Sequence, residues 1–231
     1  MSNPDPVIVA LDKPDLSSAV QLAKKLDPKL CRVKVGKELF TATGPAVIDA
    51  MHDMGFQIFL DLKFHDIPNT VAGACRAAAN RGVWMLNVHA SGGSAMLDAA
   101  RDALGSPGGG TPLLIGVTVL TSMDDNSLAA TGVQSNVQGQ VERLTGLVSA
   151  AGLDGVVCSA LEAAAVKSSY PQLLTVTPGI RLAEDASDDQ KRIVTPDQAV
   201  KGGADYLVIG RPITAAAEPV EKLATIRQLL S

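Results

Sequence analysis

Aromatic side chains are scarce in this 231-residue chain, which contains four Phe, two Tyr and one Trp. Proteins that bind single-stranded nucleic acid usually stack the bases on aromatic rings, so the composition argues against that class. Acidic residues outnumber basic ones, the net charge is −4, and no run of basic residues occurs. The electrostatic footprint of a nucleic-acid-binding protein is therefore missing as well, and we expect no nucleic-acid partner.

Cysteine and long apolar runs are also in short supply. Cys31, Cys75 and Cys158 are odd in number and far apart, with no CxxC pair or Cys/His cluster, so the sequence predicts neither a disulfide framework nor a structural zinc site. No apolar run approaches the ~20 residues needed to cross a bilayer. Residues 1–6 have neither the basic nor the apolar part of a secretory signal. We therefore expect a cytoplasmic protein without a membrane partner.

What the chain does contain is a regular alternation of short apolar runs and Ala/Leu-rich stretches. The β-branched runs predict eight strands, at residues 7–11, 31–35, 57–63, 85–89, 113–120, 155–158, 174–177 and 206–209. The stretches between them predict eight helices, at residues 16–26, 45–54, 71–80, 94–104, 137–151, 161–168, 196–201 and 216–230. The result is one βα unit per ~29 residues (231/8).

Eight such units predict an α/β fold, a (β/α)₈ TIM barrel forming a single domain over residues 1–231. Several strands are apolar without alternation, as expected for parallel strands covered by helices. Gly55, Gly82, Gly152 and Gly203 stand where helices should stop before the next strand. The alternative is an open doubly wound sheet, but the first strand is not followed by its Gly-x-Gly-x-x-Gly fingerprint.

The most informative segment is residues 61–66, Asp-Leu-Lys-Phe-His-Asp, which follows an apolar run. In an extended strand, side chains two apart share a face, so Asp61 and Lys63 should point the same way, with Phe59 below them. Leu60 and Leu62 should point to the other face. Charges at the mouth of an apolar strand are costly unless they are paired or used. A surface salt bridge is the plain alternative.

Other polar residues fall at the carboxyl ends of the predicted strands, where barrels of this kind carry their active sites. Asp12 and Lys34 end the first two strands, so they should join Asp61 and Lys63 in one charged network. Gly179 and Gly210 follow the last two strands, the usual phosphate site of such barrels, unless they are turn residues only. Arg181 and Arg211 could add charged hydrogen bonds.

Histidine and the long loop complete the candidate residues. His52, His65 and His89 are scattered and do not make a metal site. His65 suits a turn, and His89 could hydrogen-bond within the charged network. The polar segment 182–190 is long for a βα connection, so we interpret it as a lid.

Together these motifs resemble those of the orotidine 5′-phosphate decarboxylase family. The resemblance covers nearly the whole chain and lies in residues 10–12, 33–36, 61–70, 87–90, 120–122, 177–181, 189–190 and 209–214. The short pattern Asp-x-Lys-x-x-Asp is not specific by itself, because related sugar-phosphate decarboxylases and synthases share it. The set as a whole is specific.

The resemblance implies a homodimeric barrel that converts orotidine 5′-monophosphate to UMP and CO₂, with no metal and no organic cofactor. It implies that Lys63 donates the proton and that Lys34, Asp61 and Lys63 form a charged chain completed by Asp66 of the partner subunit. Substrate contacts are implied for Asp12, Lys34, Asp61, Thr70 (from across the interface), Thr121, Arg181, Gln190, Gly210 and Arg211. The residues alone do not predict the shared Asp66.

Two other functions remain open from the sequence. One is a metal-dependent barrel that decarboxylates or synthesises sugar phosphates, which a chelator would inactivate. The other is a barrel that binds a nucleotide without catalysis, although phosphate binding does not need Lys63. A purely structural protein would not need glycines and arginines after the last two strands.

Overall fold

A computed structural model describes residues 6–106, 110–182 and 194–230 of the chain. Eight parallel strands pair in sequence order, and the eighth pairs with the first to close a barrel. The strands are β1 Val7–Ala10, β2 Arg32–Gly36, β3 Ile58–Phe64, β4 Met85–His89, β5 Leu113–Val117, β6 Gly155–Val157, β7 Leu174–Pro178 and β8 Tyr206–Ile209. The predicted (β/α)₈ barrel is confirmed, and the open sheet is excluded.

Helices connect the strands around the outside. They are α1 Leu16–Ala23, α2 Lys37–Thr43, α3 Ala46–Asp53, α4 Pro68–Asn80, α5 Ser94–Leu104, α6 Asp125–Ala130, α7 Val137–Ala150, α8 Ala160–Ser169, α9 Pro196–Lys201, α10 Arg211–Thr214 and α11 Pro219–Leu229, with a 3₁₀ turn at Ala90–Gly92. No helix in the described ranges is long and apolar enough to span a membrane.

The differences from the predicted elements have local causes. The short helices α2, α6 and α10 were missed, because the pattern was interpreted as one helix per unit. Helix α4 begins at Pro68 instead of residue 71, since proline is preorganised for the first helical position. Strand β5 ends at Val117 instead of residue 120, because its neighbours β4 and β6 end at His89 and Val157, the residues that lie opposite Val117.

Two hydrophobic cores follow from the strand periodicity of two. The inner core fills the barrel with residues from six strands: Ile8, Ala10, Phe59, Met85, Ile115, Val176, Tyr206 and Val208. The residues between them, such as Val33, Val35, Leu60 and Leu86, belong to the outer core beneath the helices. Any polar side chain on the inner face above this apolar layer must therefore point into the open end of the barrel.

Two aspartates hold the strands together at the opposite, amino-terminal end. Asp154 Oδ2 accepts hydrogen bonds from the Leu114 N–H (2.7 Å) and from Arg101 Nη1 (2.9 Å). Asp205 Oδ2 accepts from the Thr175 N–H at 2.8 Å and pairs with Lys167 at 2.6 Å. Stability, rather than chemistry, is the expected use of polar residues at this end of a barrel.

Candidate active site

The inner face of the strands changes from apolar to charged at the carboxyl end of the barrel. Lys34 follows Arg32 on the inner face of β2, and Asp61 follows Phe59 on β3. In the β2–β3 register Lys34 lies opposite Phe59 and Gly36 opposite Asp61. The alternation that buries Phe59 in the inner core therefore carries the next inward residue, Asp61, to the rim of that core.

The four charges expected at the strand ends form one connected network. Lys34 Nζ lies 3.2 Å from Asp12 Oδ1 and 3.4 Å from Asp61 Oδ2. Lys63 Nζ lies 2.5 Å from Asp61 Oδ1. The Lys34 and Asp61 side chains are almost buried, whereas 64% of the Asp12 side chain is exposed. Asp61 thus has one oxygen for each lysine, and the plain surface salt bridge is excluded.

Lys63 reaches Asp61 from a backbone conformation that differs from the predicted extended strand. Its φ is +52°, and it is the one non-glycine residue with positive φ in the described ranges. The β3–β4 pairing shifts between Leu60, opposite Leu86, and Phe64, opposite Val88. The extended geometry predicted for Asp61 and Lys63 is therefore wrong at Lys63, because a bulge intervenes. Leu60 and Leu62 do join the outer core as predicted.

Asn87 on β4 forms hydrogen bonds with both Lys63 and Asp61. This role was not predicted from the sequence. The Asn87 side chain is fully buried. Its Oδ1 accepts a hydrogen bond from the Lys63 backbone N–H at 2.8 Å, and its Nδ2 donates to Asp61 Oδ1 at 2.7 Å. The sequence did contain a signal for this position. Asn87 stands two positions after Met85, whose side chain belongs to the inner core, so the Asn87 side chain should also face inward.

A small cavity of about 170 Å³ opens over the network. It is lined by Asp12, Lys34, Gly36, Lys37, Glu38, Leu39, Asp61 and Lys63. A Cβ at Gly36 would lie 3.1 Å from Lys34 Nζ, so glycine leaves room for that ammonium group. Lys37 and Glu38 were missed because they belong to α2, the helix that the sequence pattern did not predict.

Two histidines lie beside the network. The His65 and His89 rings are tilted, with centroids 5.5 Å apart. Burial lowers the pKa of His89 to about 4, and the positive charges of His65, Lys37 and Lys63 act in the same direction, against Asp61. His89 is therefore neutral at pH 7, so it adds no further positive charge beside Lys63.

A second and wider cavity, of about 1210 Å³, runs between α7 and α8 and opens near the ends of β5 and β7. Thr121 and Gly179 both line it, and Thr121 is exposed. Thr121 directly follows the predicted strand 113–120, but because β5 ends earlier it lies in the turn that follows, four residues after Val117. Gly179 has φ +83°, a conformation that glycine adopts without strain.

The residues expected at a phosphate lie partly within the described ranges. Gly210 precedes α10, and a Cβ there would lie 3.8 Å from Asp12 Oδ2, which places this glycine beside the network. Arg211 is exposed at the start of α10. The Arg181 N–H donates to the Val194 carbonyl at 3.3 Å. Gln190 lies outside the described residues. So does the segment interpreted as a lid, except for Leu182.

Asp66 and Thr70 are on an exposed surface formed by residues 65–70. Asp66 Oδ1 accepts a hydrogen bond from the Ile67 N–H at 2.7 Å, and within the described part of the chain Asp66 has no ion-pair partner. The Ile67 side chain beside it is 68% exposed. The single chain does not bring these two residues into the Asp12–Lys34–Asp61–Lys63 network.

Metal ligands were not predicted, and the described residues contain no group of three or more His, Cys, Asp or Glu able to hold a metal ion. The groups that the site does present are ammonium and carboxylate side chains. Such a site can bind hydroxyl groups, stabilise a negative charge and donate a proton from lysine.

Comparison with known proteins gives concordant results. Residues 5–226 match the sequence profile described as the orotidine 5′-phosphate decarboxylase / HUMPS family. Orotidine 5′-phosphate decarboxylase of Pseudomonas fluorescens is 59% identical over 96% of this chain and 95% of its own length. The crystal structure of orotidine 5′-phosphate decarboxylase from Lactobacillus acidophilus matches with a TM-score of 0.88 and 39% identity, covering 98% of this chain and 99% of that one.

Proposed function

Because the chain belongs to the orotidine 5′-phosphate decarboxylase / HUMPS family, we propose that it decarboxylates orotidine 5′-monophosphate to UMP in pyrimidine biosynthesis. The observation that carries the proposal is the Asp12–Lys34–Asp61–Lys63 network over the small cavity. The relatives at 59% identity carry this activity in their names, which favours it over the sugar-phosphate reactions of the wider family.

The chemistry explains why a lysine is needed. Loss of CO₂ leaves an electron pair at C6 in the plane of the pyrimidine ring, where the π system cannot absorb it. The Lys63 ammonium group can stabilise that charge and then donate its proton to C6, which completes UMP. A metal ion or organic cofactor is not required for either step. Asp61, at 2.5 Å, fixes the position of the ammonium group before the reaction begins.

Repulsion between Asp61 and the substrate carboxylate makes a smaller contribution. Two like charges ~4 Å apart at an effective dielectric of ~20 repel by ~4 kcal/mol. Enzymes lower barriers by ~8–23 kcal/mol or more, so repulsion alone cannot account for catalysis. Stabilisation of the carbanion by a prepositioned Lys63 should carry the larger share.

The remaining substrate contacts follow from the family resemblance and the positions of the residues. Asp12 and Lys34 contact the ribose, since both line the small cavity. Thr121 lies near the pyrimidine. The phosphate binds Arg181, Gln190, Gly210 and Arg211, and its binding positions the ring.

A homodimer completes the site, with Asp66 and Thr70 contributed across the interface. Three features of the single chain support this proposal: both residues are exposed, Asp66 has no ion-pair partner within the described ranges, and Ile67 between them exposes an apolar side chain. We further propose that residues 1–231 act as one domain in the cytoplasm.

An ultraviolet assay of orotidine 5′-monophosphate tests the activity, with and without EDTA. Turnover that survives the chelator is expected. Loss of activity with EDTA would favour the metal-dependent branch of the family. Substrate binding without turnover would identify a non-catalytic binding protein and overturn the proposal.

Mixing two inactive variants tests the shared site. Lys63→Ala and Asp66→Asn each damage both sites of their own homodimer. In a mixed dimer, one site combines an intact Lys63 with an intact Asp66, so re-equilibrated equal mixtures should recover about one quarter of wild-type activity (half the dimers, one site of two). Recovery no greater than the sum of the variants would place Asp66 in the same site as its own Lys63.

A further inference from the structure

We infer that Asn87 is a positioning residue for the reaction: its buried amide holds the Lys63 backbone and the Asp61 carboxylate in the arrangement that catalysis requires. The inference deepens the proposed function and rests on it, because Lys63 and Asp61 are assigned their roles there. Asn87 itself does not line the small cavity. It acts through the two residues that do.

The first observation is the register of β3 against β4. Leu60 lies opposite Leu86 and Phe64 opposite Val88, so the segment 61–63 has Asn87 as its one counterpart on β4. The regular ladder of backbone hydrogen bonds cannot continue across such a bulge. At this point the side-chain oxygen of Asn87 replaces a backbone carbonyl as the acceptor, and it accepts a hydrogen bond from the Lys63 N–H at 2.8 Å.

The second observation is the strain at Lys63. A φ of +52° is unfavourable for a residue with a long side chain and persists only where the surroundings enforce it. Asn87 and Asp61 supply that enforcement from two sides, through the backbone N–H and through the ammonium group. Strain of this kind collects at functional sites, where it fixes the geometry of a reacting group.

The third observation is that the chemistry of the partners fixes the orientation of the amide. A backbone N–H can only donate, so it must face the amide oxygen of Asn87. An ionised Asp61 carboxylate can only accept, so it must face the amide nitrogen. No apolar side chain and no ionised acidic side chain satisfies both neighbours. Because Asn87 is fully buried, each unsatisfied group would lack water as a substitute partner.

Three variants test the inference by steady-state kinetics. Asn87→Leu keeps the number and branching of the side-chain heavy atoms, with somewhat bulkier ends, and removes both hydrogen bonds, so kcat should fall about 10- to 100-fold while KM changes little. Asn87→Asp keeps the acceptor for Lys63 but places an oxygen against Asp61. Its activity should rise relative to wild type as the pH falls, because the introduced carboxyl group can donate again once it is protonated. Asn87→Gln keeps the amide but should still lose kcat, since its longer side chain misplaces both the oxygen and the nitrogen.

Thr175→Val is the matched control for lost stability. Thr175 is also fully buried and donates a hydrogen bond to the Gly203 carbonyl at 2.6 Å, but it lies at the amino-terminal end of the barrel. Its removal should lower the melting temperature and leave kcat unchanged. A similar loss of kcat in Thr175→Val would show that general destabilisation explains the Asn87 variants, and would overturn the inference.

Two readouts separate this inference from the proposed function. A wild-type protein that does not turn over orotidine 5′-monophosphate contradicts the function. Crystal structures test the inference without activity: in Asn87→Leu, Lys63 should leave the positive-φ region or its ammonium group should leave Asp61. If Asn87→Leu retains the wild-type geometry, or wild-type kcat within about twofold, or if Asn87→Asp shows the wild-type pH profile, Asn87 does not position the site.

Discussion

At the scale of single residues, the site depends on a lysine that is held at both ends. The backbone of Lys63 is fixed by Asn87, and its ammonium group is fixed by Asp61. Both restraints exist in the free protein. In the proposed reaction, the cost of placing a positive charge beside the reacting carbon would therefore be met largely during folding, and little reorganisation would remain for the reaction itself.

Lys63→Arg should be almost inactive while still folded. A guanidinium group keeps the positive charge beside Asp61, but it does not give up a proton readily, so the C6 carbanion would be left without a donor. We expect kcat to fall by at least about a thousandfold, measured alongside circular dichroism to verify folding. Near-normal turnover would contradict the role assigned to Lys63.

His89 predicts a specific pH dependence of stability. Its pKa falls from 6.5 to about 4 on folding because of burial, so between these values the unfolded chain binds a proton that the folded chain does not. The stability that the neutral His89 ring contributes is therefore fully present above pH 6.5. It is lost as the pH falls toward 4, and below pH 4 this group no longer changes the free energy of unfolding. Since the ring is only partly buried, about 1–2 kcal/mol is expected.

Denaturant unfolding of wild type and His89→Gln from pH 4 to 7 measures this effect. The wild type should lose stability relative to the variant as the pH falls, because glutamine does not titrate. Parallel curves over this range would show that His89 keeps an ordinary pKa in the folded protein.

At the scale of elements, the ends of β2 and β3 deliver the charges, and their irregularities matter more than their regular parts. The i, i+2 rule correctly placed Leu60 and Leu62 in the outer core and Asp61 beside Lys63. It failed for the backbone of Lys63, since a bulge depends on which residue lies across the sheet. No local pattern in β3 reveals Asn87, because β4 is more than twenty residues away.

Gly36→Ala should lower activity through Lys34. The φ of Gly36 is −92°, which alanine can adopt, so backbone strain is not the cause. The added methyl group would lie 3.1 Å from Lys34 Nζ and push the ammonium group away from Asp12 and Asp61. We expect a loss in kcat/KM of about tenfold.

A double-mutant cycle checks the mechanism of this loss. In a Lys34→Ala background the ammonium group is absent, so Gly36→Ala should add little. If the two losses in free energy simply add, the methyl group acts on something other than Lys34.

At the scale of the whole molecule, the regular features were predictable and the irregular ones were not. The spacing of apolar runs predicted eight strands, and Gly55, Gly82, Gly152 and Gly203 all adopt the positive φ expected of glycines that end helices. The short helices α2, α6 and α10 have no repeat of their own in the sequence. The family recognised from the combined motifs is confirmed, whereas the roles of single residues and the dimer remain predictions.

Thiol labelling tests how tightly the barrel is closed. Cys31, Cys75 and Cys158 are all buried, and burial raises the pKa of Cys75 to about 11 and that of Cys158 as well. Thiolate is the reactive form, so the native protein should react with less than one equivalent of a disulfide reagent at about pH 8, and with three in denaturant. Rapid labelling of the native protein would indicate frequent opening of the helical shell.

The inner core has a consequence for where solvent can enter. Ile8, Phe59, Met85, Ile115 and Val176 close the barrel beneath the charged network with almost no exposed surface. Among the described residues this layer blocks access from below, so water reaches the network from the open end of the barrel, the side from which the proposed nucleotide substrate would arrive. A bound nucleotide would therefore exclude water from the site by filling the open end of the barrel.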